Sequence, residues 1–575
     1  MEPETTSQTR RSGEPASVAP SRSRPRRRII ASRGESTSTQ VTFGPADPRL
    51  LNRGVWAFIA LGVVVRMLRY AQNLPFWSDE CFLAVNFIRR GFLELAGPLD
   101  NGQVCPLAFL WIERAAVLAM GFSEWSLRLF PLLCGMTSVV LFERVARRCL
   151  SGLSLQAAVA ILAVSVHPIR HAAEAKPYAS DLLVGLVLLA PAAAWLDHRE
   201  GPRRLWILFC LLPPAVAVSN PAVFVAGGIL VALFWPVWRS GRWKDRGALT
   251  CCGLLLLGLF AIFHVGFGGV QSAAALDGLR RYWGPGFPPL EDPLNLPDWM
   301  LSALTGSVFA YPGGGARGAS AATFIACIAG SVTLIRRGRG AMVVALTAPL
   351  GLNLIAAAVQ RYPFGPEARL AQYAAPGIVL LAGAGVGSLL ETVRRSRLRE
   401  ALIYAGVVGL VACALAPQIM SWRRPYRMLH DREARDFARS FWPEVSRGSV
   451  VACAHLDFGL GRPGAWEGRR AWYLCNQAVA SPRRRASGGP RLDEVSSDRP
   501  LRCVVFDEEP SDPEVIAWLA RMRRDFQLRS TRSVPVRSTY GDDLRSIVET
   551  WRIYEFTPAS LRVADPVAIQ GDLER

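Results

Sequence analysis

Ala341–Val359 reads AMVVALTAPLGLNLIAAAV, an apolar run without a charge, and Leu370–Leu390 reads LAQYAAPGIVLLAGAGVGSLL. Between them lies Arg361–Arg369, RYPFGPEAR, which is basic, aromatic and rich in turn formers. A helix needs about 20 apolar residues to cross a bilayer core of roughly 30 Å. Such runs must be helical there, because no water is available to satisfy the backbone groups. Two runs of spanning length joined by a short polar loop predict an all-α polytopic membrane protein.

The rest of the chain agrees. Ala248–Phe267 is a third run of the same kind. The chain has 575 residues, 51% of them hydrophobic and only 19% charged, with a mean hydropathy of +0.21. A soluble chain of that length would divide into several domains with a more polar surface. The net charge of +20 raises the question of a nucleic-acid partner. The arginines, however, fall in short clusters between apolar runs: Arg144–Arg148, Arg199–Arg204, Arg239–Arg246, Arg336–Arg339 and Arg394–Arg399. Cytoplasmic loops carry this pattern, so no nucleic-acid partner is expected. Residues 1–50, rich in Ser, Thr, Pro and Arg, read as a disordered basic tail on the cytoplasmic side. The first apolar run is not followed by a cleavage pattern, so no removable signal is expected.

Keeping every basic cluster inside requires an even number of crossings between neighbours. Pro106–Met120 breaks that count, and it carries Glu113 and Arg114, which are costly in hydrocarbon. It reads as a helix lying at the outer interface. About eleven spans of bilayer length remain, at 55–72, 126–145, 154–171, 178–196, 204–219, 221–238, 247–267, 319–335, 341–359, 370–391 and 401–420. The transmembrane domain is then 51–420, and the odd count places 421–575 outside the cytoplasm. That last region has short strand-like runs (Val450–Cys453, Leu501–Phe506, Ile553–Phe556) and a helical stretch, Pro513–Arg524, as in a small α/β domain. Cys453, Cys475 and Cys503 fall within it, and a disulfide among them is possible.

Four polar segments fall on the outer side. Trp77-Ser78-Asp79-Glu80 sets two acids at a water–lipid boundary, where partial desolvation raises the basicity of a carboxylate; a solvated capping acid is the plainer reading. His167-Pro168-Ile169-Arg170-His171 leads to Glu174-Ala175-Lys176-Pro177-Tyr178. Those His and Glu spacings are compatible with a metal, although interfacial histidines satisfied by neighbours are the commoner case and no metal is expected. The Arg361-Tyr362 to Arg369 loop places arginines outside, where a planar bidentate guanidinium suits either a phosphate or a lipid headgroup. Gln271–Arg317 is too polar to cross and could cover a site.

One chemistry uses all of these: displacement at a sugar carbon whose leaving group is a polyprenyl phosphate. Asp79 can supply the base for the acceptor hydroxyl, and Lys176 and Arg369 can stabilise the leaving phosphate. A single displacement would invert the anomeric centre. A transporter or flippase of a lipid-linked glycan is the alternative; it would want broken helices near mid-membrane, and only Pro213-Pro214 and Asn220-Pro221 hint at them.

At these residues the chain resembles the GT-C superfamily of membrane glycosyltransferases. It is most similar to the bacterial branch related to protein O-mannosyltransferases and lipid A aminoarabinose transferases. The resemblance rests on the acidic pair after the first helix, Gly121-Phe122-Ser123-Glu124, Arg128, Glu-Ala-Lys-Pro-Tyr and Arg-Tyr-Pro-Phe-Gly…Arg, and covers about 55–420. It implies Asp79 as catalytic acid/base, with Glu80 and Glu174 as further acids. Lys176, Arg369 and Arg361 would bind the donor phosphate, with His171, Tyr178 and Tyr362 nearby. The implied partners are a polyprenyl-phosphate sugar, membrane lipids and a glycan, lipid or protein acceptor, with no cofactor. Val104-Cys105-Pro106-Leu107 departs from the family's motif at that point.

Overall fold

The computed structural model describes residues 48–198, 201–273, 280–315, 318–423, 429–444, 450–455, 474–480, 500–506, 513–539 and 546–559. The tail expected over 1–50 lies outside these up to residue 47.

A helix stands at each expected crossing. The principal ones are α1 (Pro48–Ala71), α2 (Ser78–Ala84), α3 (Leu107–Met120), α4 (Glu124–Cys149), α5 (Gly152–Val164), α6 (Val166–His171), α7 (Tyr178–His198) and α8 (Arg203–Val218). After them come α9 (Ala222–Arg239), α10 (Trp243–Phe260), α11 (Ala321–Arg336), α12 (Gly340–Ala358), α13 (Ala375–Thr392) and α14 (Ser396–Arg423). Among the described residues, 8 helical segments are long and apolar enough to span a membrane by length and composition. The fold is that of a multi-pass membrane protein. The count of eleven is not established, because α5, α8 and α11 have 13, 16 and 16 residues, fewer than the roughly 20 of a full span.

The expected helix over 154–171 is interrupted at Ser165, whose backbone is extended. Arg66, buried on α1, takes the carbonyls freed at the end of α5: it donates to Ala163 O at 2.9 Å and Leu162 O at 3.4 Å. A cation is favoured at a helix C-terminus, where the carbonyls have no partner within the helix. Val166 N–H finds Pro312 O at 2.8 Å, so the break leaves this donor paired. Pro213 and Pro214 do not break α8, which runs through them; the chain turns instead at Ser219–Pro221.

Small residues set the helix spacing. A Cβ built on Gly385 of α13 would stand 1.9 Å from Ala326 O of α11, and one on Gly330 of α11 1.9 Å from Leu381 O. Only glycine permits that approach, and close backbone packing is what joins helices in lipid.

The C-terminal region holds α15 (Leu429–Glu444), α16 (Pro513–Asp525) and a four-stranded sheet. Its strands are β1 (Val450–His455), β2 (Leu501–Phe506), β3 (Phe526–Thr539) and β4 (Ser546–Pro558), in the order β1-β2-β4-β3. β1 and β2 pair in parallel, and the other pairs are antiparallel. Side chains alternate across β4: Tyr554 and Phe556 pack with Trp518 and Met522 of α16 on one face. Trp551 and Ile553 turn the other way, toward Phe437 and Phe441 of α15. That second face shares its core with Phe76, Cys81, Phe87 and Phe109. The sheet therefore lies at the end of the bundle where Trp77–Glu80 sits, and Arg435 ties it there by donating to Asn73 O at 2.7 Å. Cys475 and Cys503 are buried free thiols, so neither is in a disulfide; the Cys453 side chain lies outside the described residues.

Candidate active site

The two adjacent acids part company at the start of α2. Successive helical residues project about 100° apart, and here one points into the protein and the other toward its neighbouring loops. Glu80 is fully buried. Its Oε2 accepts the Trp77 N–H at 3.2 Å, which caps the helix start. Arg128 of α4 clamps it through Nε at 2.8 Å and a second guanidinium nitrogen at 2.6 Å. Ala175 N–H adds a bond at 2.7 Å. Arg128 also donates to Leu74 O and Pro75 O, fastening the segment that carries Asp79.

Asp79 keeps 20% of its side chain exposed. Its Oδ1 lies 3.0 Å from Lys176 Nζ and its Oδ2 2.6 Å from an Arg369 nitrogen. Three residues far apart in sequence thus meet at one carboxylate. Lys176 Nζ also donates to Gln103 Oε1 at 2.7 Å. Arg369 pairs with Glu367 at 2.7 Å, and its guanidinium lies over the rings of Trp77 (5.6 Å), Tyr178 (5.9 Å) and Trp283 (5.2 Å). Flat aromatic faces hold a guanidinium in place without neutralising it.

Glu174 belongs to a neighbouring cluster. It accepts from Arg170 Nε at 2.6 Å and lies 2.7 Å from His171 Nδ1. Burial alone would raise its carboxyl, but Arg170 and His171 hold it well below the usual carboxylate range. His167 stacks on His171 at 6.2 Å, and Tyr178 meets His171 edge-on at 5.0 Å. Among the described residues no group of three or more His, Cys, Asp or Glu side chains is arranged to hold a metal ion.

Two of the expected residues stand apart from this centre. Tyr362 turns its hydroxyl to Leu370 O at 3.2 Å and its ring edge to Phe224 at 5.4 Å. Arg361 is exposed and, among the described residues, makes no ion pair with the Asp79 cluster. Glu113, on the helix expected to lie at the outer interface, is buried against the protein, and burial pushes its carboxyl well above the usual range. Gln103, Glu367 and Trp283 were not expected at the centre. Glu367 and Trp283 fall inside the two loops that drew notice, and Gln103 immediately precedes the segment that departs from the family motif.

This chain is a helical membrane bundle whose inter-helix loops gather acid and cation at one end, and it shares its overall fold with a solved membrane protein. Residues 104–264 match the family described as dolichyl-phosphate-mannose-protein mannosyltransferase. The crystal structure of apo ArnT from Cupriavidus metallidurans is similar over 88% of this chain and 98% of its own, with 12% identity and a TM-score of 0.50. The same protein bound to undecaprenyl phosphate matches over 89% and 99%, with 14% identity and a TM-score of 0.48. The oligosaccharyltransferase AglB from Archaeoglobus fulgidus, complexed with an inhibitory peptide and a dolichol-phosphate, matches over 86% and 74%, with 10% identity and a TM-score of 0.43. No curated protein matches the sequence.

Proposed function

We propose that this chain is a glycosyltransferase that moves a monosaccharide from a polyprenyl-phosphate donor to an acceptor hydroxyl at the extracytoplasmic face of the membrane, with inversion. The observation that carries the reading is the Asp79 carboxylate held between Lys176 and Arg369. The family matched by residues 104–264 is named for a lipid-phosphate sugar donor, which supports the same reading.

Asp79 is the base. It takes the proton of the acceptor hydroxyl as that oxygen attacks the anomeric carbon, and the bond to the phosphate oxygen breaks on the opposite side. Polyprenyl phosphate leaves as an anion and needs no proton. Lys176 and Arg369 stabilise its charge as it develops, where it counts most toward the rate. Before donor binds, the same two cations are paired with Asp79, and Arg369 also with Glu367. Donor phosphate takes over those cations and leaves the carboxylate to the acceptor.

Glu80 and Glu174 are positioning residues in this scheme rather than the further catalytic acids the resemblance implies. Both are buried and held by arginine: Glu80 accepts four hydrogen bonds, and Glu174 is held between Arg170 and His171. Arg361 has no part in holding the phosphate. Trp283 brings its loop over Arg369, in keeping with a cover for the site. The sheet lies at the same end as Asp79, so 421–575 is extracytoplasmic if the site is.

The test is to incubate purified protein with a panel of polyprenyl-phosphate sugars and assay release of polyprenyl phosphate. Release by the wild type and its loss in Asp79→Asn support the reading. Release undiminished in Asp79→Asn would remove the base. No release together with movement of the lipid-linked sugar between leaflets would favour the flippase.

A further inference from the structure

α9 places a second feature at the far end of the molecule. Near its start, Phe224 packs on Tyr362 and Tyr373, at 5.4 and 5.8 Å, beside the loop that supplies Arg369. At 1.5 Å per residue the helix carries the chain about 25 Å away before it ends. There, Trp235, Pro236, Arg239, Ser240 and Arg242 face Gly338 and Ala341 across a cleft of about 550 Å³.

The walls of this cleft have a particular chemistry. Arg239 and Arg242 are exposed, the latter while pairing with the buried Asp245 at 2.8 Å. Ala341 lies in the first turn of α12, where backbone N–H groups have no partner within the helix and favour an anion. Below the arginines an apolar stripe runs down α9: Val231, Phe234, Trp235 and Trp238 are 56%, 54%, 65% and 49% exposed. Their spacing of three and four residues puts them on one helix face. The positive-inside tendency accounts for arginines in a loop, and contact with bulk lipid accounts for the exposed stripe of a membrane-spanning helix; neither accounts for a cleft that sets two arginines against a helix N-terminus beside that lipid-facing stripe.

We propose that this cleft is a binding site for an anionic phospholipid, with the headgroup phosphate between Arg239 and Arg242 and an acyl chain along the Val231–Trp238 face. A free phosphate would use the arginines alone, whereas a phospholipid also has its acyl chains where α9 already faces lipid. The site is separate from the transfer centre and does not rest on its assignment.

The experiment is native mass spectrometry of the full chain in detergent, titrated with phosphatidylglycerol or with phosphatidylcholine, with and without millimolar inorganic phosphate. The expected result is preferential retention of phosphatidylglycerol that inorganic phosphate does not displace. Arg239→Gln combined with Arg242→Gln should lower that retention about tenfold, as losing charge-assisted hydrogen bonds to one phosphate implies. Arg394→Gln with Arg395→Gln, an equal charge change in another basic cluster, should leave it unchanged. Because Arg242 also partners Asp245, Arg239→Gln alone keeps the test valid if the double variant misfolds, and Arg239→Lys should restore part of the loss. Equal retention of the two lipids, equal effects of the two charge changes, or ready displacement by inorganic phosphate would each overturn the proposal.

Discussion

Two clusters of opposite charge lie side by side at one end of the bundle, and they differ in how firmly they are closed. Around Glu80, the carboxylate is sealed from water, and Arg128, Ala175 N–H and Trp77 N–H occupy its lone pairs. Around Asp79, the carboxylate is still one-fifth exposed and, among the described residues, its ion-pair partners are Lys176 and Arg369. Neighbours in sequence, the two acids divide between a sealed ion pair and a more open one. A buried pair resists breakage because removing one partner strands a charge; a pair whose carboxylate still reaches water can trade partners with a substrate. That contrast, rather than the presence of acids as such, singles out Asp79.

The largest effect expected from breaking the comparison is on the open side. Asp79→Asn should lower transfer by about 10²–10⁴-fold, the usual loss for a positioned general base. Donor binding should hold or tighten, because Lys176 loses its carboxylate partner and Arg369 keeps only Glu367. Transfer rate and donor affinity, measured on inserted and monodisperse protein, separate the two. Glu80→Gln acts on the closed side and should show first as instability. It leaves Arg128 buried without its counter-charge, at a cost of about 3–5 kcal/mol, read from thermal unfolding or from yield. An Asp79→Asn protein destabilised as much as Glu80→Gln would erase the distinction.

Smaller effects sharpen it. Arg369→Lys keeps the charge but loses the planar fork and the stacking on Trp77 and Trp283. It should restore only part of the donor affinity lost in Arg369→Ala, as a donor titration would show. Glu174 gives a pH signature. Its carboxyl is held below its unfolded value near 4.3, so its contribution to stability is complete above that pH and fades as pH falls through the lower, folded value. The stability gap between wild type and Glu174→Gln should therefore narrow in acid. A gap that widened in acid would mean the carboxyl binds its proton more readily when folded.

Much of this was legible in the sequence because lipid is a strict solvent: apolar runs of spanning length leave helices as the only outcome. Asp79, Lys176 and Arg369 could be drawn together because charge placement put their loops on one side. Other features depended on distant partners. The break at Ser165 is stabilised by Arg66, a residue a hydropathy reading passes over inside an apolar run. β3 escaped notice because FQLRSTRSVPVRST carries no apolar run, and its edge position is visible only once β4 pairs with it. Glu80 and Asp79 look alike as letters; which one faces Arg128 is set by helix phase and by α4 packing.

The smallest expected effect concerns Arg361, which shares a loop with Arg369 and was expected to share its ligand. The loop turns between them at Gly365, which has φ +80 and whose added Cβ would stand 2.8 Å from the Ala303 Cβ, so glycine is needed there. Past this turn Arg369 goes inward to Asp79, whereas Arg361 stays exposed at the end of α12. An exposed arginine without an ion pair to the cluster contributes little to stability, and its replacement falls within about 0.5 kcal/mol. Arg361→Ala should accordingly change donor affinity and transfer by no more than about twofold, against the much larger loss in Arg369→Ala. Stopped-flow binding of a polyprenyl-phosphate sugar to both variants makes the comparison directly. If Arg361→Ala weakened donor binding as severely as Arg369→Ala, the donor phosphate would have to lie nearer the exposed rim than the Asp79 carboxylate, and the exchange of partners between Asp79 and phosphate would lose its geometric basis.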